Sequence, residues 1–421
     1  MYLFLAIFSL NSYAETTLNP GRFLNTNCAC NIAEVESNTV SPCDYTTGNV
    51  TTVGTVSEFR AAISQANSSG GNMTILIEDG TYEVATTSAY PYITANNLVI
   101  RSLSGNRDAV ILRGNGMSET PNNETVNVLF AVGNNITIAD LTLSLAANNA
   151  IAVTGENLFV HNVKMENTYE HFIKGNSVDG GADDGIVQCS LFQYTNTLGP
   201  QWYIGGIDVH QGDNWIVSDN VFKNIASPDA QLAQHAVNFW NNSTNNTIER
   251  NKIINCDRGI GFGLGSSPNT GGIIRNNMIY NDGTAPNDDV GIGLESSPDT
   301  KVYNNTIIIN YPNAIEYRFI ATNNVDITNN LTNQNILSRN GGQATLISNV
   351  TDAQINWFVD APAGDLRLIP NNPTVIDQGV NLADIIMDIY QTIRPQFNNH
   401  DIGAFELLID IIYSNGFEAG G

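Results

Sequence analysis

Residues 205–222 read GGIDVHQGDNWIVSDNVF. Ile207, Asp208, Val209 and His210 alternate apolar and polar, the period of a half-buried strand. After a short turn, DNWIVSDNVF (213–222) opens a second strand of the same kind. The pair recurs along the chain with a loose period of roughly 20–35 residues, the mark of a repeat architecture. Copies of the Asn-rich strand are NNLVIRSL (96–103), NNITIADLTL (134–143), ENLFVHNVKM (156–165), DDGIVQCSLF (183–192), NNTIERNKII (245–254), GGIIRNNMIY (271–280), DTKVYNNTII (299–308) and NNVDITNNLT (323–332). Copies of the other strand are NAIAVTG (149–155), HFIKGNS (171–177), HAVNFWN (235–241), RGIGFGL (258–264), VGIGLES (290–296) and NAIEYRF (313–319).

Each strand needs one buried and one outward face. Short strands, turns of varying length and almost no helical periodicity predict an all-β fold, a single-stranded parallel β-helix (solenoid) in which each coil packs only on its neighbours. Asn at the corners suits left-handed turn geometry and stacked amide hydrogen bonds. A solenoid needs a cap over its open end. GTVSEFRAAISQANSSGGNMTILIEDGTYEV (54–84) supplies one as an amphipathic helix, with Ser57 as the expected N-cap, followed by a strand. Past about residue 340 the repeats fade into a segment ending in DIGAFE (401–406).

The capping helix, the strand into DGTY, the Asn-rich coils and DIGAFE together resemble the right-handed parallel β-helix proteins of the pectate-lyase-like superfamily, over residues 54–406. That superfamily holds polysaccharide lyases, hydrolases and epimerases besides adhesins and phage tailspikes, so the resemblance implies a fold and leaves the activity to the site. It further implies, for a lyase, a Lys or Arg base with neutralisation of the substrate carboxylate by Ca²⁺ or side chains.

Residues 1–14, MYLFLAIFSLNSYA, match a secretory signal peptide apart from its charged start. A Cys-containing extension (15–53), the β-helix catalytic domain (54–406) and a C-terminal tail (407–421) follow. No later apolar run is long enough for a membrane helix. A secreted, periplasmic or extracellular monomer is expected. With 17 Lys+Arg against 41 Asp+Glu and a net charge of −24, the chain disfavours nucleic acid and anionic membrane as partners. An anionic polymer would need a local cationic site. Among five cysteines, export favours a Cys28–Cys43 or Cys30–Cys43 disulfide, while Cys189 and Cys256 read as small buried residues.

Aligning the second strands on Ile151, Ile173, Ile207, Val237, Ile260, Ile292 and Ile315 generates two outward columns. The first is Ala152, Lys174, Asp208, Asn238, Gly261, Gly293, Glu316; the second is Thr154, Asn176, His210, Trp240, Gly263, Glu295, Arg318. His171, His235 and Arg258 stand just before their strands, and Tyr203 precedes the 205–211 strand. Three of the five histidines thus gather on one face, with Trp240 as an expected exposed sugar-stacking ring. Gly261, Gly263 and Gly293 are expected to leave a flat floor. Lys174, Asp208 and Asn238 form a ladder about 10 Å long, roughly two sugar units. Arg258 is expected to pair with Asp257 or a corner carbonyl.

This face supports β-elimination on a uronate. The reaction needs a base for the carbon-5 proton, neutralisation of the adjacent carboxylate, and a proton for the leaving oxygen. His210 or Lys174 is the candidate base; Arg258, His235, Asn238 or Ca²⁺ the neutraliser. Trp240, Asn238, Asp208, His171, Asn176, Arg318, Glu295, Glu316 and Tyr203 are candidate substrate-binding residues. Asp208, and more weakly Asp183, Asp184, Asp288 and Asp289 in acidic loops, are the Ca²⁺ candidates. A glycoside hydrolase would need Glu295 and Glu316 as its carboxyl pair and would leave the histidines unexplained. A carbon-5 epimerase shares the proton abstraction, but no DPHD signature is present. A binding-only adhesin would repeat one residue type down each column, which these columns do not.

Overall fold

The computed structural model describes residues 28–42, 45–86, 89–118, 126–176, 180–370 and 372–408. The expected signal peptide, Cys43 and the end of the tail lie outside them. The chain is an all-β parallel solenoid of about 11 turns. Its three parallel sheets have 12, 10 and 10 strands. Strand Asn49–Val53 pairs in parallel with Gly71–Ile77, so the first coil begins within the N-terminal extension. Helix Val56–Ser69 buries Phe59, Ala62, Ile63 and Ala66 against Val53, Met73, Ile75 and Ile77. Its N-cap is Thr55 rather than Ser57: the Thr55 Oγ1 accepts from the Glu58 N–H, and Glu58 reaches back to the Gly54 N–H at 2.9 Å. These two contacts on either side of Thr55 fix the start two residues earlier than expected.

The coils are held in register by an asparagine ladder. Asn220, Asn251, Asn277, Asn305 and Asn330 are fully buried. Each donates its backbone N–H and its Nδ2 to the Oδ1 of the next, ending at Asn349, at 2.9–3.1 Å. The residue before each of these five (Asp219, Arg250, Asn276, Asn304, Asn329) has φ between 51 and 59°. Turning and stacking thus fall to two successive residues: a left-handed one makes the corner, and the Asn after it satisfies the backbone of the coil beside it.

A second apolar cluster lies outside the solenoid. Val221, Ile254, Met278, Tyr280, Ile308 and Leu331 point outward from the third sheet and are covered by helix Ile32–Ser37 and by the segment running from Ala353 to Leu407. DIGAFE belongs to this strap. Arg394 donates to the Asp401 and Gly403 carbonyls and pairs with buried Glu406 at 3.2 Å. A disulfide links Cys30 to Cys189, 159 residues apart, and pins the N-terminal helix to the solenoid. This corrects two expectations: Cys30 does not pair with Cys43, and Cys189 is not a free buried thiol. Cys256 is buried and free, as expected. Among the described residues no helix is long and apolar enough to cross a membrane.

Candidate active site

The sheet that carries the histidines has the register expected of it. Ile151, Ile173, Ile207, Val237, Ile260, Ile292 and Ile315 pair in sequence, and so do Ala152, Lys174, Asp208, Asn238, Gly261, Gly293 and Glu316. The isoleucine column is fully buried in the core. The outward column is also buried, which the alternation did not predict: Lys174 is 9% exposed, Asp208 4% and Asn238 1%. These side chains cover one another, and the loop before strand Gly205–His210 lies against His171 beside them. Gln201 ties that loop to the Tyr169 carbonyl at 2.8 Å, and the Tyr203 ring stands edge-on to His171, 5.0 Å between centroids.

Asp208 is the hub. Its carboxylate forms an ion pair with Lys174 and accepts from Trp240 Nε1 at 2.8 Å and Asn238 Nδ2 at 3.3 Å. His171 Nε2 and His210 Nε2 each lie 3.6 Å from its Oδ2. Burial pushes this carboxyl upward, but its partners, the Lys174 ammonium first among them, outweigh burial and hold it well below the usual carboxylate range. Lys174 Nζ is 3.1 Å from His210 Nε2. An ammonium can only donate, so His210 Nε2 is the acceptor and carries a lone pair. The His210 and Trp240 rings are 4.1 Å apart. Trp240 is therefore half-buried with its N–H committed, and the expected free stacking ring is instead a wall that orients His210 and Asp208. Trp202 and Tyr203, 38% and 37% exposed, are the open aromatic rings beside the site. Trp202 was missed, although it stands next to Tyr203 in QWY (201–203).

His171 and His235 each lie over a glycine of the following coil. A Cβ at Gly205 would sit 2.6 Å from the His171 ring, and one at Gly261 would sit 2.9 Å from His235 Nε2 and 2.6 Å from Asn238 Oδ1. Gly261 is thus not an open floor; it makes room for the His235 ring. Burial, reinforced by Lys174, pushes His171 down to about 3, and burial with Arg258 does the same to His235, so both are neutral at ordinary pH. His235 Nδ1 and both His171 nitrogens are buried without a hydrogen-bond partner.

The remaining candidates form a second zone. Arg258, Asp289, Glu295, Tyr311, Glu316, Arg318 and Arg339 line a cleft whose near wall is His235. Arg258 pairs with Asp289 at 3.1 Å, not with Asp257. Arg318 pairs with Glu295, and Arg339 with Glu316 at 2.7 Å. Arg339 was missed because the alignment stopped one coil short; Arg318 and Arg339 are register partners. Asn176 lies just beyond its strand, its N–H donating to the Val153 carbonyl.

The acidic candidates for Ca²⁺ do not converge. Asp208 has its oxygens engaged by Lys174, Trp240 and Asn238, and Asp289 by Arg258. Asp183 accepts from the Asp213 N–H, and Asp184 sits in a left-handed turn. Among the described residues no group of three or more His, Cys, Asp or Glu side chains is arranged to hold a metal. The donor set at the hub, rich in cations and N–H groups, does not fit Ca²⁺.

No protein-family model and no curated protein matches the chain. The solved pectate lyase Pel9A is similar over 86% of this chain and 97% of its own, at TM-score 0.60 and 16% identity. The alginate lyase from Paenibacillus sp. str. FPU-7 covers 72% of this chain and 99% of its own at TM-score 0.40 and 13% identity. PfbA, a surface adhesin of Streptococcus pneumoniae, covers 70% and 87% at TM-score 0.44 and 14% identity. At such identities the likeness is one of fold, and the extent of the Pel9A match identifies it: this chain has the pectate-lyase-like parallel β-helix fold.

Proposed function

We propose that this protein is a polysaccharide lyase that cleaves a uronic-acid-containing chain by β-elimination, with His210 as the base. The observation that carries the reading is the Lys174–His210 contact over Asp208. His210 is the more open of the two, its side chain 22% exposed against 11% for Lys174. When Lys174 turns from His210 to the substrate carboxylate, the freed Nε2 lone pair takes the carbon-5 proton. The electrons left on carbon-5 form the double bond to carbon-4, the bond from carbon-4 to the glycosidic oxygen breaks, and that oxygen leaves with a proton from water. Lys174, with Asp208 as its counter-ion, faces the substrate carboxylate where charge develops. Asp208, Trp240 and Asn238 position these two groups. No step is assigned to a metal.

The hydrolase alternative has less support. Its carboxyl pair, Glu295 and Glu316, is tied up by Arg318 and Arg339. Export is proposed with the activity, supported by the apolar N-terminal run and by the Cys30–Cys189 disulfide, a bond that persists in oxidising compartments.

The test is to incubate the protein with alginate, pectate, hyaluronan, chondroitin and neutral glycans, following unsaturated-uronate absorbance and reducing ends together. Absorbance rising with new ends is expected. New ends without absorbance sink the lyase reading in favour of hydrolysis, and an inverted carbon-5 with no new ends makes the chain an epimerase. Excess chelator is expected to leave turnover intact; a loss restored by Ca²⁺ would move carboxylate neutralisation from Lys174 to a metal.

A further inference from the structure

The cleft beyond His235 is built from matched charges. Arg258 faces Asp289, Arg318 faces Glu295 and Arg339 faces Glu316. Three cations meet three carboxylates, so the cleft carries no net positive charge on a chain of net charge −24. Glu316 is 2% exposed and further engaged by Asn313 at 2.6 Å. A carboxylate or sulfate entering here would set a further anion beside three carboxylates and compete with them for the arginines, most unfavourably beside Glu316, which is buried. A hydroxyl meets the opposite situation. It can donate to a carboxylate oxygen and accept from a guanidinium N–H without breaking either pair. His235, 6% exposed and on the cleft wall, adds a neutral ring with its Nδ1 unpartnered.

The cleft therefore differs from the hub, where a single acid, Asp208, keeps Trp240 Nε1 and Asn238 Nδ2 as donors when Lys174 turns to a substrate carboxylate. Its strands lie two to five coils past Asp208, a distance of about 10–24 Å at the usual strand spacing. A sugar chain laid along the sheet reaches the cleft only several units away from the unit at His210. Resting on the reading of the hub as a uronate site, we propose that the cleft is a subsite for an uncharged sugar. The substrate class is then a heteropolysaccharide in which uronates are interspersed with neutral units, and not a homopolymer of uronate.

Two measurements test this. The first compares binding of a homopolyuronate (pectate or alginate) and of hyaluronan, which alternates uronate with an uncharged sugar, to His210→Ala protein, which keeps the polymers uncut. Hyaluronan is expected to bind at least about fivefold more tightly. The second repeats the comparison in Asp289→Asn and Glu316→Gln on the same background. Each frees an arginine and is expected to swing the preference toward the homopolyuronate, an effect that salt weakens. Asp289 is partly exposed, so that variant carries the test if Glu316→Gln fails to fold. Equal or tighter binding of the homopolyuronate by the parent overturns the proposal, as does a preference untouched by either substitution, or no binding of either polymer. If no polymer yields unsaturated product from the unsubstituted protein, the lyase reading fails, while the binding preference still decides this one.

Discussion

His210 and His171 are both histidines of one cluster, yet their surroundings are opposite. His210 is open enough to touch substrate; His171 is sealed beneath Tyr203. Replacing His210 with Ala is expected to lower turnover by about 10²–10⁴-fold, the usual share of a positioned base, with the melting transition little changed; unsaturated-uronate absorbance checks it. His171 should be read through stability. Its folded value of about 3 lies below the ordinary 6.5, so unfolding takes up a proton between those limits and stability falls as pH drops through that window. His171→Gln should flatten the slope of unfolding free energy against pH by about 1.4 kcal/mol per unit in that window. An unchanged slope would mean that His171 is not held neutral. Asp208→Asn strips Lys174 of its buried counter-ion and should cost about 3–5 kcal/mol in denaturant unfolding.

At the scale of elements, the asparagine ladder makes the sharpest prediction. Asn277→Ala deprives the buried Asn251 N–H and the Ile248 carbonyl of their partners and should cost at least about 2 kcal/mol. Exposed Asn323→Ala should stay within about 0.5 kcal/mol. Urea unfolding of the pair is the check. These elements were also the most legible in the sequence. The β-branched column from Ile151 to Ile315 repeats with the coil, so alternation alone placed Lys174 beside Asp208 and His210 beside Trp240. The burial of Lys174 and Asp208 was not legible. Their cover comes from one another and from Asn238 and Trp240 on the next coil, a closing of side chains across coils that alternation along a strand does not report. The Arg258–Asp289 pair was hidden for a similar reason, since it joins a strand approach to a turn of the next coil.

Over the whole molecule, the strap was the least visible feature. Past residue 340 the sequence loses its period, because Ala353–Leu407 packs on the outside of coils instead of adding to them. Cys30–Cys189 closes a 159-residue separation that no local pattern marks. Its removal by Cys30→Ser with Cys189→Ser should lower stability by about 2–5 kcal/mol. The loss should show first as protease access near helix Ile32–Ser37, with the site sheet still intact. Simultaneous loss of activity would show that the strap and the site sheet unfold as one unit.

The parallel register has a last consequence. Hub and cleft are carried by one stack of coils, so the distance between them cannot vary continuously; it changes only in whole steps of about 4.8 Å. The solenoid acts as a ruler graduated in strands. Inserting one complete coil after strand Val237–Trp240, with a glycine again at the place of Gly261, would slide one mark past the other while keeping the residues at each end. The spacing of groups along a sugar chain could in this way be retuned by counting coils, without redrawing either site.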